Sequence, residues 1–206
     1  MSSAIAWQWR QFADLTPHAL YAALRVRCEV FVVEQHCAFL DLDDADQEAW
    51  HLLGWVERGG AKALAAYLRL LQPGCKFAEA SIGRVLTASD FRRTGAGRAV
   101  MREGVRKSSE IYPQHGIRIG AQRYLESFYA DFGFRPASEP YLEDGIAHIQ
   151  MLRPVDAIRW SSAGADLETV GVLFHPFQIA RVHDFSNDRQ PGNSPRLGQI
   201  TQPVFA

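Results

Sequence analysis

Cysteine is scarce in this chain: Cys28, Cys37 and Cys75 are the only three among 206 residues, and no two have CxxC spacing. That count excludes a disulfide framework and a structural zinc site, and it fits free thiols in a reducing cytoplasm. An excess of charge is missing as well, since 22 Lys and Arg face 23 Asp and Glu for a net charge of -1. A nucleic-acid binder carries a strong basic surplus, so no nucleic-acid partner is expected. No apolar run approaches the ~20 residues of a membrane helix, so no membrane partner is expected either. The first residues set Arg10 and Asp14 close together without an apolar centre, unlike a secretory leader. Internal repeats are absent. What is present is 47% hydrophobic and 22% charged residues, a soluble globular composition that can build one core of ~150 residues plus an extension.

Ile5, Trp7 and Trp9 alternate and predict a first strand. Thr16-Pro17 supplies an N-cap and a proline at the first helical position, opening a helix to about Val33. An acidic loop, Asp41 to Asp46, follows. His51–Glu57 and Ala63–Leu71 read as two strands at hairpin distance across Gly59-Gly60. Ile82–Thr87 has a strand pattern, and a helix beginning around Ala99 reaches Ile111 and stops near Pro113. Ile117–Gln122 is a strand, Leu125–Phe132 a short helix ended by Gly133, and Phe134–Pro136 and Ala147–Leu152 the closing strands. From Pro154 onward prolines, serines and asparagines break any periodicity except over Thr169–Phe174. The expected organisation is an α/β (α+β) domain over residues 1–154, a mixed sheet with helices on its faces, then a poorly structured extension over 155–206.

The chemistry-bearing stretch lies between Ser81 and Met101. Gly95 and Gly97 stand at a helix entrance after a strand and a polar link, with Arg92, Arg93 and Arg98 around them. The unpartnered amides of a first helical turn, the helix dipole and three guanidinium groups favour a phosphate or pyrophosphate there. Taken alone, Gly-x-Gly also suits a flexible loop. Two other phosphate motifs fail. Arg98-Ala99 stands where a P-loop needs Lys-Ser/Thr, while Val100 and Gln122 stand where a dinucleotide fingerprint needs a small residue and an acid.

Arg92-x-x-Gly95-x-Gly97 resembles the first signature of the GNAT superfamily of N-acetyltransferases, which reads glutamine or arginine, two residues, glycine, one residue, glycine or alanine. Phe128-Tyr129-Ala130-Asp131-Phe132-Gly133-Phe134 resembles the second. Arg27 to Gln35, His51-Leu52-Leu53-Gly54, Ile82 to Val85 and Glu143 to Ile149 are similar, in that order, to the ElaA-like branch. The resemblance covers residues 8–153 and leaves the extension unassigned. It implies the acyl-CoA N-acyltransferase fold, with a mixed, mostly antiparallel sheet. It also implies an acetyl-CoA-dependent N-acetyltransferase in which an amine attacks the thioester directly, without a metal.

By the same resemblance, the backbone of Val85, Leu86 and Thr87 holds the pantetheine arm, and Leu86 lends an N–H to the oxyanion. Arg92, Arg93, Thr94, Gly95, Ala96, Gly97 and Arg98 are implied as the pyrophosphate loop. Tyr129 is implied as general acid for the departing thiolate, and a phenol with a pKa of ~10 suits a thiolate whose conjugate acid lies at ~8.5. By pattern alone Tyr129 reads as core, because it shares a helical face with Leu125, Phe128 and Phe132.

The base that removes the amine proton stays open among Glu34, His51, Glu143, Asp144 and His148. Asp41, Asp43, Asp44 and Asp46 imitate a calcium loop, but Ala45 and Leu52 occupy ligand positions and the sixth-position glycine is missing. This loop reads as solvated; the alternative is a negatively charged mouth that attracts a cationic amine. The expected partner is a small-molecule or peptide amine, with a homodimer as the assembly considered. One rival class keeps the fold without the reaction: a non-catalytic acyl-CoA-binding sensor or interaction module. Another uses the same loop for a different nucleotide's pyrophosphate.

Overall fold

Alternating and β-branched apolar runs build eight strands in the structure, a computed structural model that describes residues 4–155. They are β1 (Ala6–Gln11), β2 (Trp50–Arg58), β3 (Ala61–Leu71), β4 (Ala80–Thr87), β5 (Ile117–Gln122), β6 (Arg135–Pro136), β7 (Tyr141–Glu143) and β8 (Ile146–Arg153). One sheet results, in the order β1-β2-β3-β4-β5-β8-β6, with β7 also paired to β8. Each neighbouring pair is antiparallel except β4 and β5. The expectations for residues 156–206, including a strand over Thr169–Phe174, lie outside the described residues.

Among the described residues three α-helices cover the sheet. In α1 (Pro17–Arg27) the Thr16 hydroxyl accepts the Ala19 N–H at 3.2 Å, the cap that the Thr-Pro pair predicts. This helix buries Ala19, Ala23 and Val26 against Leu53, Leu64 and Tyr67. A second cluster sets Ala96, Val100 and Met101 of α2 (Ala96–Ile111) against Leu68, Leu70 and Ile82, and it includes Tyr129 of α3 (Glu126–Ala130). Neighbouring residues of β3 thus divide between the two clusters, as the period of a strand requires. Gly104 sits mid-helix because a Cβ there would lie 2.5 Å from Leu68 Cδ2; close packing outweighs its helix-propensity cost of about 1 kcal/mol.

Three features differ from the sequence expectation. The first helix keeps its regular form only to Arg27 and continues as a wider π turn over Cys28–Glu34. Val30, Val32 and Val33 are β-branched and weaken an α-helix there, and Arg27 just before them is anchored in the core. Strand β7 is new: three residues are too few for a period, although Asp144-Gly145, with φ of 50° and 79°, is the two-residue turn that joins it to β8. Helix α3 is also shorter than the expected Leu125–Phe132.

The gap that defines the functional region lies between β4 and β5. These strands pair only at Ala80↔Ile117 and Ser81↔Arg118. Just beyond, β4 bulges: Leu86 faces Tyr67 and Gly83 faces Arg69, so two residues of β4 oppose one of β3. Within the bulge Arg84 has a φ of 52°, a left-handed conformation costing a residue with a Cβ about 1–2 kcal/mol.

Candidate active site

A cleft of about 880 Å³ opens where β4 and β5 part. Ser81 to Thr87 form one wall and Ile119, Gly120 and Gln122 the other. Val85, Leu86 and Thr87 therefore border the cleft together with residues at the start of α2. A second cavity of about 820 Å³, lined by Trp7, His18 and Trp55 among others, contains no residue that the sequence motifs single out.

At the α2 end, Arg92, Arg93, Gly95, Gly97 and Arg98 all line the cleft. Gly95 caps the helix with a φ of 89° and its carbonyl accepts the Ala99 N–H at 3.0 Å. The first amides of this 16-residue helix have no partner within it, a suitable place for an anion. Arg98 bonds Asp131 at 2.6 Å and lies 5.8 Å from the Phe128 ring centre, while Arg92 pairs with Glu34. Thr94 donates to the Phe91 carbonyl at 2.6 Å and Ala96 is buried, and neither is among the residues lining the cleft. Gly95→Val forces a β-branched residue to positive φ at a cost of at least about 1–2 kcal/mol. We expect a roughly tenfold weaker grip on acyl-CoA, measured by isothermal titration.

Tyr129 reaches the same cleft from α3, and only 7% of it is exposed. Its ring packs edge-on to Phe134 at 6.1 Å. The core reading and the cleft position are both realised. Burial, with Tyr124 adding to it, pushes the Tyr129 phenol up to about 12. Complete proton transfer to a free thiolate would therefore be uphill by roughly 3.5 units, or about 5 kcal/mol. Burial of a thiol raises its pKa in the same direction, so hydrogen-bond donation, with the proton following, is the role this phenol suits.

Glu143, Asp144 and His148 also line the cleft, as does Glu34, which meets Arg92 at the α2 end. Glu34 ends the π turn, and the remaining three come from the β7–β8 hairpin. The two segments meet where Cys37 Sγ lies 3.8 Å from the Asp144 carbonyl, and Gln122 bonds Gln35 at 3.0 Å. His148 Nδ1 lies 2.9 Å from the Ile146 carbonyl. His51 is the exception among the candidate bases. It is 1% exposed, its Nδ1 is 2.7 Å from the Tyr67 hydroxyl and its Nε2 is 2.9 Å from the Asp46 carbonyl. It does not line the cleft, and that placement removes it as a base.

His51 belongs to a buried polar group that the sequence reading missed. The acidic loop is solvated only in part: Asp43 and Asp44 are exposed, but Asp41 is 4% and Asp46 5% exposed. Arg27 bonds Asp41 at 2.8 Å and Asp46 at 2.7 Å. Arg69 bonds Asp43 at 2.5 and 2.7 Å and Asp46 at 3.0 Å. Arg84 Nε lies 2.7 Å from Asp41 Oδ1 without the alignment of a hydrogen bond, so that pairing is electrostatic. Three arginines from α1, β3 and β4 thus neutralise three aspartates of one loop. The signal was present as Arg69 within an otherwise apolar strand, where a charge needs a buried partner.

These pairings move the titrations. Burial opposes ionisation of Asp43, but the hydrogen bond and charge of Arg69, with Arg84, outweigh it and hold its carboxyl at about 2. Burial holds His51 below its usual 6.5, aided by the charges of Arg27 and Arg69. A lowered histidine gives stability that is complete above the unfolded value and is lost as pH falls through the folded one. We expect the thermal midpoint to drop between pH 7 and 5, and His51→Gln to flatten that slope in calorimetry.

Among the described residues no helix is long and apolar enough to cross a membrane, and no group of three or more His, Cys, Asp or Glu could hold a metal ion. Comparison with known proteins matches this geometry. The family profile of the acetyltransferase (GNAT) domain fits residues 54–153. A UPF0039 protein of Synechocystis sp. is 43% identical over 148 residues, covering 72% of this chain and 94% of its own length. Protein ElaA of Escherichia coli is 38% identical over 153 residues, covering 73% and 97%. Among solved structures, an acyl-CoA N-acyltransferase from Pseudomonas aeruginosa superposes with a TM-score of 0.68 at 38% identity, over 73% of this chain and 99% of that one. Escherichia coli ElaA gives 0.66 at 37%, over 72% and 99%. With the split sheet, the glycine-capped α2 and these relatives together, the chain belongs to the GNAT acetyltransferase family, in its ElaA-like branch, and is an acyl-CoA-dependent acyltransferase.

Proposed function

We propose that this chain transfers an acetyl group from acetyl-CoA to a primary amine by direct attack, and that residues 1–154 are its catalytic domain with 155–206 an extension. The observation that carries the reading is one cleft lined by β4, the arginine-rich mouth of α2 and Tyr129. Arg92, Arg93 and Arg98, with the first amides of α2, hold the pyrophosphate. Val85 to Thr87 run along the pantetheine arm; the register of β4 on β3 turns the Leu86 N–H toward the Tyr67 carbonyl, so the adjoining amide of the bulge, at Val85, stabilises the oxyanion.

The amine nitrogen forms a bond to the acyl carbon as the carbon–sulfur bond breaks. Tyr129 donates to the departing sulfur, which leaves as the thiol, and the phenol regains its proton from solvent. The proton lost by the amine goes to a titratable group of the cleft, among Glu34, Glu143, Asp144 and His148. Glu34 is paired with Arg92, so Glu143 and Asp144 are the carboxylates that favour an acceptor arriving as a cation.

Thermal-shift measurements with acetyl-CoA, CoA, NAD and ATP test the binding half. A ligand at ~100 times its Kd stabilises the fold by about 2.7 kcal/mol, so the two CoA species should raise the midpoint by several degrees and NAD should not. Absence of any response to acetyl-CoA and CoA would refute the reading. A panel of polyamines, lysine peptides, free-N-terminus peptides and aminoglycosides, with thiol detection, then identifies the acceptor.

A further inference from the structure

We infer that Arg84 is a positioning residue for acyl transfer: clamped by the Asp41–Asp46 loop, it holds the β4 bulge and thereby sets where the N–H of the next bulge residue, Val85, meets the thioester carbonyl. This rests on the proposed function, since it takes the thioester to lie against β4.

The first observation is conformational. Arg84 lies directly before Val85, inside the bulge, at a φ of 52° that side chains with a Cβ rarely adopt. Something must hold it there. Its guanidinium donates from Nη2 to the Asp41 carbonyl at 2.9 Å and to Asp43 Oδ2 at 3.3 Å, and its Nε lies 2.7 Å from Asp41 Oδ1. Arg69, which faces Gly83 across the bulge, binds the same Asp43 carboxylate through both terminal nitrogens. One carboxylate therefore clamps both strands where the bulge begins, and Arg27 fixes the loop from behind through Asp41.

The second observation is topological. Pairing of β4 with β5 stops at Ser81↔Arg118, and the cleft opens immediately beyond. A residue 84 returned to negative φ would straighten β4 and re-aim the amides after it, those of residues that border the cleft. The charges of the three arginines are matched by the three aspartates, so Arg84 is not a free cation awaiting an anionic ligand. Its work is on the backbone.

Backbone and charge are separated by substitution. Arg84→Gly and Arg84→Asn lose the guanidinium but tolerate a left-handed φ, whereas Arg84→Ala and Arg84→Ser lose the guanidinium and do not. Acetyl-CoA labelled with carbon-13 at its carbonyl serves as the probe, because a donated hydrogen bond moves that resonance downfield on binding. We expect wild type, the glycine variant and the asparagine variant to show the downfield shift and the alanine and serine variants to lose most of it. With an amine accepted in the panel, kcat in the latter two should fall about a hundredfold, with KM for acetyl-CoA little changed. A merely structural Arg84 would lower thermal stability in all four without this split. Should the alanine variant fail to fold, the serine variant takes its place in the comparison. Equal shifts in all four variants would overturn the inference. So would wild-type protein that binds acetyl-CoA without shifting the carbonyl, which leaves cofactor binding intact, whereas failure to bind acetyl-CoA at all refutes the proposed function itself.

Discussion

Tyr129→Phe should lower kcat by about ten- to a hundredfold while leaving KM for acetyl-CoA and the thermal midpoint nearly unchanged. The magnitude is that of one hydrogen bond to a developing charge, about 1.5–3 kcal/mol. The ring itself stays, so its edge-on packing with Phe128 and Phe134 is retained. Because burial pushes the phenol up to about 12, it remains protonated across the working range, and the substitution should scale the pH–rate profile without moving its limbs. Steady-state kinetics with acetyl-CoA from pH 6 to 10 checks this. A wild-type rate in the phenylalanine variant would remove Tyr129 from the chemistry and return it to core packing.

Arg27→Met should cause the largest loss of stability. Its guanidinium is buried and serves two carboxylates, Asp41 and Asp46, that are themselves buried. Removing one side of a buried ion pair leaves an uncompensated charge at a cost of about 3–5 kcal/mol, and a domain of this size then loses about 10 °C in its midpoint. Asp46→Asn alone should also destabilise, because it withdraws the partner of both Arg27 and Arg69. In the double variant the two losses should add to clearly less than their sum, since neither charge is then left facing the other's vacancy. Denaturant unfolding of the four proteins measures this coupling, and strict additivity would show that the pair acts as two independent surface ions.

Much of the fold was legible in the sequence because local rules and tertiary packing agree. Thr16-Pro17 begins α1, Gly59-Gly60 joins β2 to β3, and the periodic residues of α2 are the ones it buries. The opening of the cleft was less legible. A bulge at Arg84 needs one extra residue in register, and nothing in Ile82–Thr87 announces it without the partner strand. The acidic loop was misread in part, for a related reason. Asp41 and Asp46 look solvated until three arginines separated by up to 57 positions converge on them, and pairing at that distance is a property of topology. His51 went with them: its strand pattern is right, but what it faces is Tyr67 and the Asp46 carbonyl. The residues near the α2 entrance fared better, since a strand, a link and a helix N-terminus within one short segment already place them together.

The most direct measurement is thiol release from acetyl-CoA by the wild-type full-length chain across the amine panel, paired with mass analysis of each amine. Acetyl transfer by the β4–β5 cleft predicts one acetylated amine for each CoA thiol released, and a parallel loss of both signals in the Tyr129→Phe variant. Tight acetyl-CoA binding with neither thiol nor acetylated product from any amine would contradict it.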